Sequence, residues 1–136
     1  MNPPNPVKYQ QGKAAQRPKN LNLLTIRLPV PALVSILHRA SGFVLYLLIP
    51  VLLLALQTLL ASAAGFEQVK AVFTGWGVKI ILLPVLWAFW HHFCAGLRHL
   101  AMDFHWGMAL KQARLTSKLV LGLSLILTLA SMWLIC

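Results

Sequence analysis

The sequence predicts an all-α integral membrane protein with three membrane-crossing helices, and three observations predict it. Hydrophobic residues fill 59% of the 136 positions, and the mean hydropathy is +0.74. Charged residues make up only 10%, where a soluble domain carries about 25%. The apolar residues gather into three long runs. Each reaches the roughly 20 residues needed to cross about 30 Å of hydrocarbon. In that solvent a helix closes its own backbone hydrogen bonds.

The elements follow in chain order. Residues 1–29 form a basic, proline-containing segment, set apart from a three-helix anchor domain expected over 30–136. Pro3, Pro4, Pro6, Pro18 and Pro29 favour extended backbone there, with room for a short interfacial turn around 22–27. Pro29 and Pro31 suit the start of the first helix, where a missing N–H costs nothing. The first span is expected over 32–60, nearly uncharged from 43 onward. A short loop over 61–77 carries Glu67 and Lys70. The second span, 78–102, contains an apolar run interrupted only by Pro84 and ends in a histidine cluster. A loop over 103–116, with Lys111 and Arg114, leads to a third span over 117–135. No internal repeat or low-complexity tract is present.

The net charge of +10 sets twelve Lys and Arg against Glu67 and Asp103. Lys8, Lys13, Arg17, Lys19, Arg27 and Arg39 precede the apolar part of the first span, while Lys111, Arg114 and Lys118 follow the second. These bases flank spans instead of forming one folded basic face, which argues against nucleic-acid binding. The positive-inside rule puts the N-terminus and the second loop in the cytoplasm, or the equivalent compartment, and the C-terminus outside, in the periplasm if the membrane is a bacterial inner one. Cys94 and Cys136 belong to no CxxC or CxxCH. That excludes covalent c-type haem attachment and a disulfide framework. The first thirty residues lack the apolar core of a cleavable signal peptide.

The candidate chemistry lies on the first two spans. His91, His92 and His99 fall within nine residues of an otherwise lipid-compatible helix. Ionisable groups at membrane depth face a bundle interior and pair with each other, a metal or a cofactor. Imidazole is a common haem-iron ligand. At helical spacing His92, Gly96 and His99 share a stripe that Asp103 continues, while His91, Arg98 and His105 lie about 100° away. Gly96 leaves bare backbone on the His92 stripe, so a flat macrocycle or another helix can approach. Ser35 and Arg39 share a face of the first span, as do His38 and Gly42. Simpler roles stand beside these: a histidine bonded to a neighbouring carbonyl, Arg39 and Arg98 reaching lipid phosphate, and Ser35 bonded back to its own helix. Trp87, Trp90, Trp106 and Trp133 suit an interfacial aromatic belt, and Cys94 suits a small apolar filler.

The runs Arg17-Pro18-Lys19-Asn20-Leu21, Ser35-Ile36-Leu37-His38-Arg39-Ala40-Ser41-Gly42 and His92-x-x-x-Gly96-Leu97-Arg98-His99-Leu100-x-x-Asp103-Phe104 resemble one known family. It is the cytochrome b membrane-anchor family of succinate dehydrogenase, respiratory complex II. The resemblance covers essentially the whole chain in length, number of spans and motif order. It implies one part of a larger haem-binding helix bundle, made with a second small anchor subunit. That bundle would hold an iron–sulfur subunit and a flavoprotein at the membrane. It implies haem b with His92 as axial iron ligand, four residues before Gly96; His91 is the other candidate, and the face shared with Gly96 favours His92. It implies that Ser35 and Arg39 line a ubiquinone site, and that His38, Arg98 and His99 lie near the haem propionates or that pocket.

The overall reaction implied is succinate oxidation coupled to ubiquinone reduction, in the tricarboxylic acid cycle and respiratory chain. This chain has neither a dinucleotide fold nor an iron–sulfur cysteine set, so FAD and the clusters would belong to partners, and the chain alone would not be catalytic. Two other readings compete. A different b-type electron-transfer module would want histidine pairs on two helices. A haem-free structural subunit would use its basic ends on lipid.

Overall fold

The computed structural model describes residues 28–135; expectations for 1–27, including the turn around 22–27, lie outside the described residues. Four helices follow: α1 (Val30–Ala61), α2 (Ala63–Thr74), α3 (Trp76–Asp103) and α4 (Leu110–Ile135). No strand occurs among the described residues. α1, α3 and α4 are each long and apolar enough to cross a membrane, and they contain the three expected spans. At 1.5 Å per residue they measure roughly 40–50 Å, longer than the hydrocarbon core. Pro29 is the N-cap of α1 and Pro31 its second residue, within the first turn where a missing N–H leaves no helix bond unmade.

The stretch expected as a loop over 61–77 is instead largely helix. α1 stops at Ser62, whose hydroxyl accepts the Gly65 N–H at 3.0 Å and caps α2. The chain reverses so tightly there that a Cβ on Gly65 would run into the Thr58 carbonyl oxygen. α2 then packs back against α1, leaving an open hollow lined by Leu59, Phe66, Val69 and Phe73. Phe66, Val69 and Phe73 recur at helical spacing; the exposed Glu67 and Lys70 between them masked that short amphipathic pattern. α4 likewise starts at Leu110, seven residues before the expected 117. Lys111, Gln112 and Arg114 are good helix formers and carry the helix past the apolar boundary. The α3–α4 link turns through left-handed backbone at His105 (φ 62°) and Gly107 (φ 78°).

α3 is the central helix, packed on α1 along one side and on α4 along the other. The buried core is thin: Val34, Ala88, Cys94, Ala95 and Val120. Cys94 fills it as expected. Beside these lie buried Ser41, His91, Arg98, Ser117, Ser124 and Thr128. Small and hydroxyl residues at the contacts let the helices approach closely, the usual basis of packing in lipid. Most large apolar side chains, such as Leu53, Leu54, Ile80 and Leu129, are exposed and suit lipid or another protein chain. Trp87 and Trp90 sit mid-helix in α3 and so do not belong to an interfacial belt. Trp90 donates its indole N–H to Ser131 at 2.9 Å, and Trp87 stacks on His91 with centroids 5.0 Å apart.

Candidate functional site

The α1–α3 contact collects the histidines. His38 and His92 lie face to face, with ring centroids 4.1 Å apart and planes 10° from parallel. His99 tilts against His38 at 5.0 Å. Each of the first two rings is seated over a glycine of the opposite helix. A Cβ on Gly42 would lie 2.7 Å from the Cε1 of His92, and one on Gly96 would lie 3.6 Å from the Nε2 of His38. The bare backbone of Gly96 is therefore approached by a side chain of another helix. Ser35–Arg39 and Arg98–Asp103 do arrive at the same end of the bundle, as the antiparallel order of α1 and α3 requires.

One hydrogen bond fixes the chemistry of His92. Its Nδ1 is 3.0 Å from the His38 carbonyl oxygen and 3.4 Å from the Ser41 Oγ. A carbonyl only accepts, so Nδ1 carries the proton and Nε2 presents a lone pair in the neutral ring. Ser41 Oγ donates to the same carbonyl at 2.9 Å, holding this part of α1 in place. The Nε2 of His92 has no hydrogen-bond partner among the described residues and is not sealed from the surface. A backbone carbonyl on one ring nitrogen with the other left free is the usual arrangement of a metal-bound histidine.

His91 is placed differently. It is fully buried, and neither ring nitrogen has a partner among the described residues. Trp87 covers its ring and the α1–α3–α4 core closes around it. A planar macrocycle could reach it only if the helices parted. Arg98 shares that side of α3: it is 8% exposed and donates from Nε to Thr116 Oγ1 of α4 at 3.1 Å. The structure therefore brings His38, His92 and His99 together and turns Arg98 toward α4, away from that group.

Ser35 and Arg39 lie on α1 one turn apart, half-buried and exposed respectively. Every other Ser or Thr hydroxyl in α1 and α4 donates to a carbonyl of its own helix. Ser35 makes no such bond, so its donor is free among the described residues. No acidic side chain lies in α1, and Asp103, the one acid of α3, is exposed at that helix's last residue. Arg39 accordingly has no carboxylate partner among the described residues, and its charge suits an anionic group. Sequence reasoning placed Gly42 on the His38 face but did not identify Ser41 or Gly42 as neighbours of His92, since spacing along α1 alone does not say which α3 ring they meet.

Comparison with known proteins identifies the family. Residues 13–131 match the family model described as succinate dehydrogenase/fumarate reductase transmembrane subunit. The succinate dehydrogenase cytochrome b556 subunit of Coxiella burnetii is 37% identical over 122 residues, covering 88% of this chain and 97% of the relative. The cytochrome b556 subunit of Paracoccus denitrificans is 33% identical over 116 residues, covering 85% and 89%. The cytochrome b560 subunit of Reclinomonas americana is 31% identical over 124 residues, covering 88% and 85%. With three apolar helices of membrane length and a family match over most of its residues, the chain belongs to the succinate dehydrogenase/fumarate reductase transmembrane-subunit family and is a multi-pass membrane protein.

Proposed function

We propose that this chain is the cytochrome b anchor subunit of a succinate:ubiquinone oxidoreductase. In this reading it binds haem b through His92, lines a ubiquinone site with Ser35 and Arg39, and holds an iron–sulfur subunit and a flavoprotein at the bacterial inner membrane. The observation that carries the reading is the His92 ring, anchored by Nδ1–H to the His38 carbonyl with Nε2 free. The relatives carry cytochrome b in their names, which supports the same assignment.

When bound, haem b would supply a one-electron carrier. The chain's own residues do the rest. His92 offers the Nε2 lone pair. The His38 carbonyl fixes the tautomer and makes the ring a better donor. His38 and His99 provide ring nitrogens that can hydrogen-bond to carboxylates. His38 stacks alongside His92 at 4.1 Å, so His92 is the residue of this chain that would hold the iron, and a second ligand would come from the partner anchor subunit. Ser35 donates a hydrogen bond to a quinone oxygen, and Arg39 holds positive charge beside it.

The test is the reduced-minus-oxidised visible spectrum of the purified complex. His92→Leu is expected to abolish or shift the low-spin b-type signal, and His91→Leu to leave it mostly intact. The reverse pattern would move the ligand to His91. An unchanged signal in both variants would remove haem ligation from this chain.

A further inference from the structure

We propose that Gly42 is a positioning residue for the iron ligand: the space left by its missing side chain is the seat of the His92 imidazole. The proposal rests on His92 being that ligand.

Gly42 lies inside α1 with ordinary helical backbone, since Gly107 is the one glycine of positive φ among the described residues. Nothing in the conformation asks for glycine there, and glycine weakens a helix interior relative to alanine. What the position does provide is room. A Cβ would stand 2.7 Å from His92 Cε1 and 3.1 Å from Nδ1, closer than van der Waals contact allows.

The colliding group is the far end of a side chain with two rotatable bonds, so the ring yields before either helix does. A methyl group here is cheap for the fold and expensive for the ring's position. The displaced ring loses its 3.0 Å bond to the His38 carbonyl and its 4.1 Å stack on His38, and with them the direction of Nε2. Gly96 has no such role toward His92, because its added Cβ would meet only His38 Nε2, at an ordinary 3.6 Å. Gly122 on α4 has nothing within 4 Å.

The experiment compares the whole complex carrying Gly42→Ala, Gly122→Ala or His92→Leu. The readouts are assembly, haem content, the reduced-minus-oxidised spectrum and the low-spin electron paramagnetic resonance g values. Gly42→Ala should assemble with haem bound, yet show a shifted α-band and shifted g values. Gly122→Ala should match the parent in all four readouts. An assembled Gly42→Ala complex with the parent's spectrum and g values overturns the positioning role. His92→Leu reports separately on the ligand itself: loss of the signal upholds that assignment whatever Gly42→Ala does, and retention removes it.

Should Gly42→Ala fail to assemble, the decision falls to Gly42→Ala/His92→Ala compared with His92→Ala alone. Equal yields identify the imidazole as the group the methyl strikes. A lower yield for the double variant means the methyl strikes something else, and the proposal fails.

Discussion

Replacing Ser35 by alanine isolates one hydrogen-bond donor with little effect on the fold. The Ser35 hydroxyl bonds to no carbonyl of α1, so the substitution breaks no internal contact among the described residues. Alanine is also the better helix former, by roughly 0.5 kcal/mol. Assembly should therefore be normal or slightly improved. A neutral hydrogen bond to the quinone oxygen is worth about 1 kcal/mol, and one to the same oxygen carrying negative charge about 1.5–3 kcal/mol. Only that difference, roughly 0.5–2 kcal/mol, acts on the rate of reduction, which corresponds to about a 2- to 30-fold fall in kcat. The assay is succinate–ubiquinone reductase activity of the purified complex, set against succinate oxidation with an artificial dye. Quinone reduction should fall while the dye reaction and the haem spectrum persist. Undiminished quinone reduction in a fully assembled Ser35→Ala complex would refute the assignment of this hydroxyl.

Arg39→Leu removes the exposed cation one turn away and should lower kcat/KM for the quinone by roughly tenfold, the whole worth of a charged hydrogen bond of about 1.5 kcal/mol, with the dye reaction again intact. Trp90→Phe deletes the 2.9 Å bond to Ser131 that joins the middle of α3 to α4. It should lower resistance to denaturant by about 0.6–1.7 kcal/mol, and Ser131→Ala added to it should cost little more. For topology, a periplasmic reporter fused after Cys136 should be active and one placed near Lys111 inactive; the opposite pattern would put the Ser35–Arg39 end on the periplasmic side.

The three spans were legible because lipid imposes a length and a composition that few other structures share. The two His stripes were legible from 100° periodicity alone, and burial sorts them as that periodicity implies: His91 and Arg98 inward, His92, Gly96 and His99 on the flank. The helix α2 was not legible. Its twelve residues bury Gly65 alone, and its helicity depends on a cap by Ser62 and on the α1 surface it returns to. The cap is local, and Ser62 was its one signal in the sequence; the α1 surface is a tertiary fact. The same holds for the direction of Arg98, whose partner Thr116 lies across a turn that the sequence does not locate. The contact of Gly42 with His92 was out of reach for a further reason. Both residues stand in the motifs, but the register between α1 and α3 decides which glycine meets which ring, and a single apolar sequence leaves that register open.

The central claim is that His92, oriented by the His38 carbonyl, binds haem iron through Nε2. A cryo-electron microscopy reconstruction of the assembled complex tests it most directly. The expected result is a tetrapyrrole on the α1–α3 flank with its iron on His92 Nε2, Nδ1 still on the His38 carbonyl, and His91 buried without iron among α1, α3 and α4. Iron on His91, or a macrocycle bound away from the α1–α3 flank, would contradict it.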